Sequence, residues 1–342
     1  MKPRLSLFRS LWGCNEHRPF LELCGPSEKF GFLKSLGFDG IEASLDDLGR
    51  CRKERQAAVA ALREHDLKLI TGVYSSWKDY DEHDWRDLHG SIAAQLSCLE
   101  AELREVEELG ASGVIQHVNV HSGSDAWNEA QCREYFQWAL SLGEGRPFSV
   151  SHETHRGRPL ANPFVCHRLC SEFPDLRLTL DASHWFLVCE RLVGRMTEFH
   201  EDQGGGDHAM SQEAGVLHFL CTRVDHIHAR IGTPESPQLT LIPAAASKKK
   251  TSGGKVGAGG ISGKATAWEA SAVTAHEKLW QSVWRSQVAA GRTVVTATPE
   301  YGPAPYTPMA PGTDLPVSDV WEVTNAAVDH LKMLLSSTKF CS

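Results

Sequence analysis

Short apolar runs alternate with longer amphipathic stretches along almost the whole chain. Strands are predicted over 4–12, 38–45, 67–74, 113–121, 147–153, 176–181, 224–230 and 293–300. Between them, helical patterning predicts helices near 27–36, 47–65, 86–109, 128–142, 163–173, 186–200 with 208–221, 267–290 and 317–336. The stripe Leu88, Ile92, Leu96, Leu99, Leu103, Val106 and Leu109 shows the periodicity well, with charges on the opposite face. Eight strands each followed by a helix predict a (β/α)8 TIM barrel, an α/β single domain running over 1–342. A doubly wound open sheet would call for a glycine-rich phosphate loop after the first strand, and the sequence has none there. One low-complexity segment, 244–265, is rich in Gly, Lys and Ser and is expected to be a disordered insertion after strand seven, on the face where barrel active sites lie.

The polar members of these strands share one parity. Side chains alternate across a strand, so each strand turns one face to the helices and one to the barrel lumen. Strand five sets Phe148 and Val150 against Ser149, Ser151 and Glu153, and strand six sets Leu176, Leu178 and Leu180 against Arg177, Thr179 and Asp181. On strand seven Ile227 opposes His226, His228 and Arg230; on strand eight Val295 and Ala297 oppose Thr296, Thr298 and Glu300. Strand four opposes Val118 and Val120 to His117, Asn119 and His121, and strand two opposes Ile41 to Gly40 and Glu42. With the aliphatic faces against the helices, Glu42, His121, Glu153, Asp181, His228 and Glu300 converge at the C-terminal mouth. Uncompensated carboxylates so placed would repel one another, and a divalent cation relieves that. Carboxylates with an imidazole suit Mn2+ best, with Mg2+, Co2+ or Zn2+ as alternatives. The same groups could instead form structural ion pairs or helix caps.

Composition narrows the partners. The chain has 342 residues, 41% hydrophobic and 23% charged, and a formal net charge of −8. That charge argues against nucleic acid or anionic lipid as a partner. No apolar run reaches the roughly 18–20 residues of a membrane span, and the first residues read as a strand, not a targeting peptide. The ten cysteines are scattered, and Cys166 with Cys170 lack a second pair for a zinc site. Reduced thiols in a cytoplasmic protein are expected.

Four motifs, each at a strand end, carry a resemblance: E-x-H-R-G-R (153–158), L-D-A-S-H-W (180–185), H-I-H-A-R-I-G-x-P-E-x-P-Q (226–238) and T-P-E-Y-G-P-x-P-Y (298–306). Together they resemble the xylose isomerase-like TIM barrels, within them the sugar phosphate isomerase/epimerase family. The resemblance implies that Glu153, Asp181, His228 and Glu300 bind one divalent metal, and that Glu153 and Glu300 are the catalytic acid/base pair. It implies substrate contact for His184, and the residues nearby add His121, Arg156, Arg158, Arg230 and Glu42 as groups for hydroxyls or a phosphate. Two positions depart from the ketose 3-epimerases: Pro159 stands where they carry a second Glu, and Pro234 where they carry an Arg. The expected reaction is isomerisation or epimerisation of a sugar or sugar phosphate, by proton abstraction beside a carbonyl and an enediolate held by the metal. A metal-dependent dehydratase acting on a keto-inositol-like polyol is the alternative, and a homo-oligomer is expected by analogy of fold. A DNA phosphodiesterase fits the net charge poorly, and a non-catalytic binding barrel remains open.

Overall fold

In the computed structural model, residues 2–14, 17–76, 91–110, 113–193, 212–239, 267–313 and 315–340 are described. The strands are β1 (Arg4–Ser10), β2 (Gly40–Ser44), β3 (Lys68–Tyr74), β4 (Ile115–His121), β5 (Val150–Glu153), β6 (Leu178–Leu180), β7 (Val224–His228) and β8 (Val294–Thr298). The helices are α1 (Arg18–Leu21), α2 (Gly25–Ser35), α3 (Leu45–Leu48), α4 (Arg52–Glu64), α5 (Ile92–Glu108), α6 (Glu129–Gly143), α7 (Pro163–Glu172), α8 (Ala182–Val188), α9 (Gln212–Cys221), α10 (Ala267–Ala289) and α11 (Val320–Ser337). The eight strands are parallel and close in chain order, with β1 paired to both β2 and β8. This is the predicted single-domain (β/α)8 barrel. The 244–265 segment lies outside the described residues.

Register shows why the parity holds around the whole barrel. Ser10 pairs with Glu42, Glu42 with Ile70, Ser151 with Asn119, Glu153 with Thr179, and His228 with Thr298. The inward residues therefore form layers, while Ile41, Val118, Val120, Leu178, Leu180, Ile227, Val295 and Ala297 join the buried aliphatic shell under the helices. Lower in the lumen Phe8 meets His226 edge-on, with ring centroids 5.9 Å apart. A Cβ on Gly40 would sit 2.4 Å from the Phe8 ring, so the glycine leaves the space this ring fills.

Two elements differ from the pattern for local reasons. The stretch read as one helix over 47–65 divides into α3 and α4 at Gly49, whose φ of 150° is a conformation L side chains rarely adopt. Ser44 and Asp47 form a capping box that starts α3 directly from β2. Similarly, α8 begins at Ala182, earlier than its apolar run suggests, because Asp181 accepts the Ser183 N–H and caps it. No helix among the described residues is long and apolar enough to cross a membrane.

At the end of the barrel away from the C-terminal mouth, Asp225 ties three strands together. Arg177, just before β6, reaches its two oxygens from Nε and Nη2 at 3.2 and 2.9 Å, and Arg292, before β8, bonds Oδ1 as well. Burial alone would raise the Asp225 carboxyl, but the two guanidiniums outweigh it and lower its pKa. A depressed carboxylate contributes stability above the usual aspartate range and loses it as pH falls through its folded-state value. Asp225→Asn is expected to destabilise the chain by about 1.5–3 kcal/mol at pH 7. Urea titrations of both proteins should show that gap shrinking as pH is lowered below about 4.

Candidate active site

A cavity of about 430 Å3 opens at the C-terminal ends of the strands. Its wall takes residues from or just after seven strands, among them Ser10 and Trp12 from β1, Glu42 from β2, Tyr74 from β3, Asn119 and His121 from β4, Glu153 from β5, and Glu300 after β8. Arg230, after β7, and Arg156 and His155, after β5, complete it with Tyr306. A volume of this size accommodates a small-molecule ligand.

Glu153 and Glu300 of this lining come together with the fully buried Asp181 and His228, each offering one atom, all within 4.8 Å of one another. His228 Nδ1 lies 3.4 Å from Glu153 Oε1 and 3.2 Å from Glu300 Oε2. Glu153 Oε1 and His228 Nδ1 are both buried with no hydrogen-bond partner. Burying two such atoms without partners is costly, and a cation accepting an electron pair from each satisfies both. Burial alone would lower the His228 pKa, but Glu300, Glu42 and Glu153 outweigh it and hold it well above the usual imidazole range. That concentration of negative charge is also what would attract a divalent ion. The donor set therefore fits the metal that the strand parity calls for, without distinguishing Mn2+ from Mg2+, Co2+ or Zn2+.

The outer atoms of these groups are held unevenly. Glu153 Oε2 accepts Asn119 Nδ2 at 2.7 Å and faces His121 Nε2 at 2.9 Å. Asp181 Oδ1 accepts the Ser183 N–H and hydroxyl at 3.0 and 2.6 Å, while Oδ2 pairs with Arg230 Nη2. The Glu300 side chain accepts no hydrogen bond from the described residues and is the most accessible of the four, 17% exposed against 0–1% for the others. Burial raises the Asp181 carboxyl, with Arg230 opposing.

The remaining sequence-predicted residues fall in three places. His121, Arg156, Arg230 and Glu42 line the cavity. Arg156 and Arg230 stand over the Tyr306 ring, 4.6 and 4.8 Å from its centroid. His184 and Arg158 are not among the lining residues. His184 is buried behind Arg230, accepting from its Nη2 at 2.9 Å, and burial, then His155 and Arg230, drive its pKa well down. Arg158 is buried and donates to Ser76 Oγ and the Gly123 carbonyl at 2.9 and 2.5 Å, bracing loops after β3 and β4. Two residues not singled out for the site belong to it. Asn119 shares the His121 parity two positions earlier. His155 continues the Glu153 parity beyond the strand end; its Nδ1 meets the Arg156 carbonyl at 2.6 Å and its Nε2 lies 3.3 Å from the Tyr306 hydroxyl. Extending strand parity by one residue pair would have found both.

A family model described as xylose isomerase-like TIM barrel matches residues 30–233. No curated protein gives a significant sequence match. Among solved structures, a D-tagatose 3-epimerase-like protein is 10% identical with a TM-score of 0.52, the match covering 99% of this chain and 100% of that one. A probable 3-DHS dehydratase from Bacillus anthracis is 12% identical with a TM-score of 0.52, over 97% and 99% of the two chains. A xylose isomerase domain protein from Planctomyces limnophilus is 11% identical with a TM-score of 0.51, over 98% of each. At these identities the likeness is one of fold.

Arg230 is the only guanidinium in contact with Asp181 among the described residues. Arg230→Met would leave a buried carboxylate without its partner and is expected to cost about 3–5 kcal/mol in urea unfolding of the metal-free protein. A loss below about 1 kcal/mol would show that the pair is not what holds this wall.

Proposed function

The chain belongs to the xylose isomerase-like TIM barrel family, and from that premise we propose that it is a divalent-metal-dependent sugar or sugar-phosphate isomerase or epimerase. The observation carrying this reading is the meeting of Glu153, Asp181, His228 and Glu300 around two buried atoms without hydrogen-bond partners, with Glu153 and Glu300 lining a ligand-sized cavity. Glu153, Asp181, His228 and Glu300 would hold the cation, which when bound would supply a Lewis acid for a substrate carbonyl and acidify the neighbouring C–H.

The residues divide the remaining work. Glu300, the least restrained carboxylate of the four, takes the proton from the carbon beside the carbonyl at an unengaged oxygen. Glu153, anchored through Oε2 by Asn119 and His121, keeps a fixed position from which a proton can be returned on the other face. His121, Arg156 and Arg230 offer donors to substrate hydroxyls or a phosphate, and Trp12 and Tyr306, edge-on at 4.9 Å, close the apolar side and exclude water. Arg158 and His184 act from behind this wall by holding the loops and Arg230 in place.

Elemental analysis of the purified protein should find about one divalent ion per chain, reduced in Asp181→Ala. Incubated with candidate ketoses and sugar phosphates in D2O, the wild type should exchange a carbon-bound proton for deuterium without loss of mass as water. Glu300→Gln should lower that exchange about 10²–10⁴-fold. A Glu300→Gln enzyme with full turnover would refute the role given to Glu300, and dehydrated product would identify a lyase.

A further inference from the structure

Glu42 lines the cavity, but its hydrogen bonding turns it away from a ligand and towards His228. Glu42 Oε1 lies 2.8 Å from His228 Nε2, a contact that crosses the lumen from β2 to β7. The same oxygen is 3.5 Å from Asn119 Nδ2. Glu42 Oε2 faces His226 Nε2 at 3.5 Å. His226 is itself held by Thr296 and Thr298, each 2.8 Å from a ring nitrogen. Glu42 is buried. At 2.8 Å its contact with His228 is of hydrogen-bond length, and a carboxylate oxygen facing an imidazole nitrogen is the acceptor. The hydrogen of the Glu42–His228 bond therefore belongs to Nε2.

We propose that Glu42 is a positioning residue for the metal centre: by accepting the Nε2–H of His228 it selects the tautomer whose Nδ1 lone pair points at Glu153, Asp181 and Glu300. A histidine that ligates a cation is neutral, having given up one ring hydrogen, so fixing the other on Nε2 would leave Nδ1 as the donor atom. Nδ1 is the atom found 3.4 and 3.2 Å from the two glutamates. The carboxylate also raises the basicity of the opposite ring nitrogen and fixes the ring plane, the pattern in which a ligating histidine hydrogen-bonds an outer carboxylate. Glu42 thus acts on the reaction through His228 and not by touching substrate. The inference rests on the metal-dependent reading of the site above.

The test uses Co2+ as the probe, with the wild type, Glu42→Ala and Glu42→Gln each stripped of metal. Calorimetric titration gives affinity, and the visible d–d bands of bound Co2+ report ligand identity and geometry. Glu42→Ala is expected to weaken Co2+ binding about 10–100-fold and to change the bands. In Glu42→Gln the amide oxygen can accept the same Nε2–H, so the wild-type bands should persist with a smaller loss of affinity. Thermal unfolding of the metal-free proteins identifies any variant that fails to fold; Glu42→Gln, close in shape, carries the comparison if Glu42→Ala does. Affinities within twofold and identical bands in all three proteins would overturn the proposal while leaving the metal site intact. Wild-type protein that binds no Co2+ would instead remove the metal centre, and both readings with it.

Discussion

His228 and the carboxylates around it are the interaction on which the rest of the site depends. A single imidazole, fully buried, contacts Glu42 on one ring nitrogen and lies against Glu153 and Glu300 on the other. In a low-dielectric lumen, charges this close either share a proton, bind a cation or force part of the set to be neutral. The chain meets the demand with strongly held groups on one side and a cluster open to a ligand on the other. Arg230 stabilises Asp181, Asn119 and His121 hold Glu153, and Glu300 is left comparatively free.

That asymmetry links packing to chemistry. A carboxylate that first takes up a proton benefits from an oxygen free of hydrogen bonds, whereas its partner across the substrate benefits from being held in a fixed place. The outer contacts come from strands distant in sequence, so the geometry is held by the rigid sheet and not by loop conformation alone. Stability and site occupy opposite ends of the same strands: Asp225 at the start of β7 ties β6, β7 and β8 together below, while His228 at its end joins the carboxylate cluster and Arg230 just after it lines the cavity.

The polar lumen is unusual in kind for a barrel core, which is commonly filled with branched aliphatic side chains. Here His117, His226, Thr179, Thr296 and Thr298 occupy inward positions below the site, and Phe8 fits beside them because Gly40 has no side chain. Burial drives the His117 pKa down to about 3 and lowers that of His226, so both are neutral hydrogen-bonding groups at physiological pH. The lower lumen supplies orientation without adding charge to the mouth.

Strand periodicity by itself determined the barrel, the inward polar face of six of its strands and the gathering of Glu42, His121, Glu153, Asp181, His228 and Glu300 at one end, because alternation across a strand is a local property. It also placed the boundaries of most elements within a few residues, missing the start of α8 and the break between α3 and α4, where a capping aspartate and a left-handed glycine act on single residues. What only the tertiary structure decided is which atom of each group faces which neighbour. That Glu42 reaches His228 across the lumen, that Asn119 and His155 belong to the site, and that Arg158 and His184 stand behind its wall all depend on strand register, barrel closure and side-chain packing. Those contacts join residues far apart in the chain, and no local periodicity encodes the distance between them.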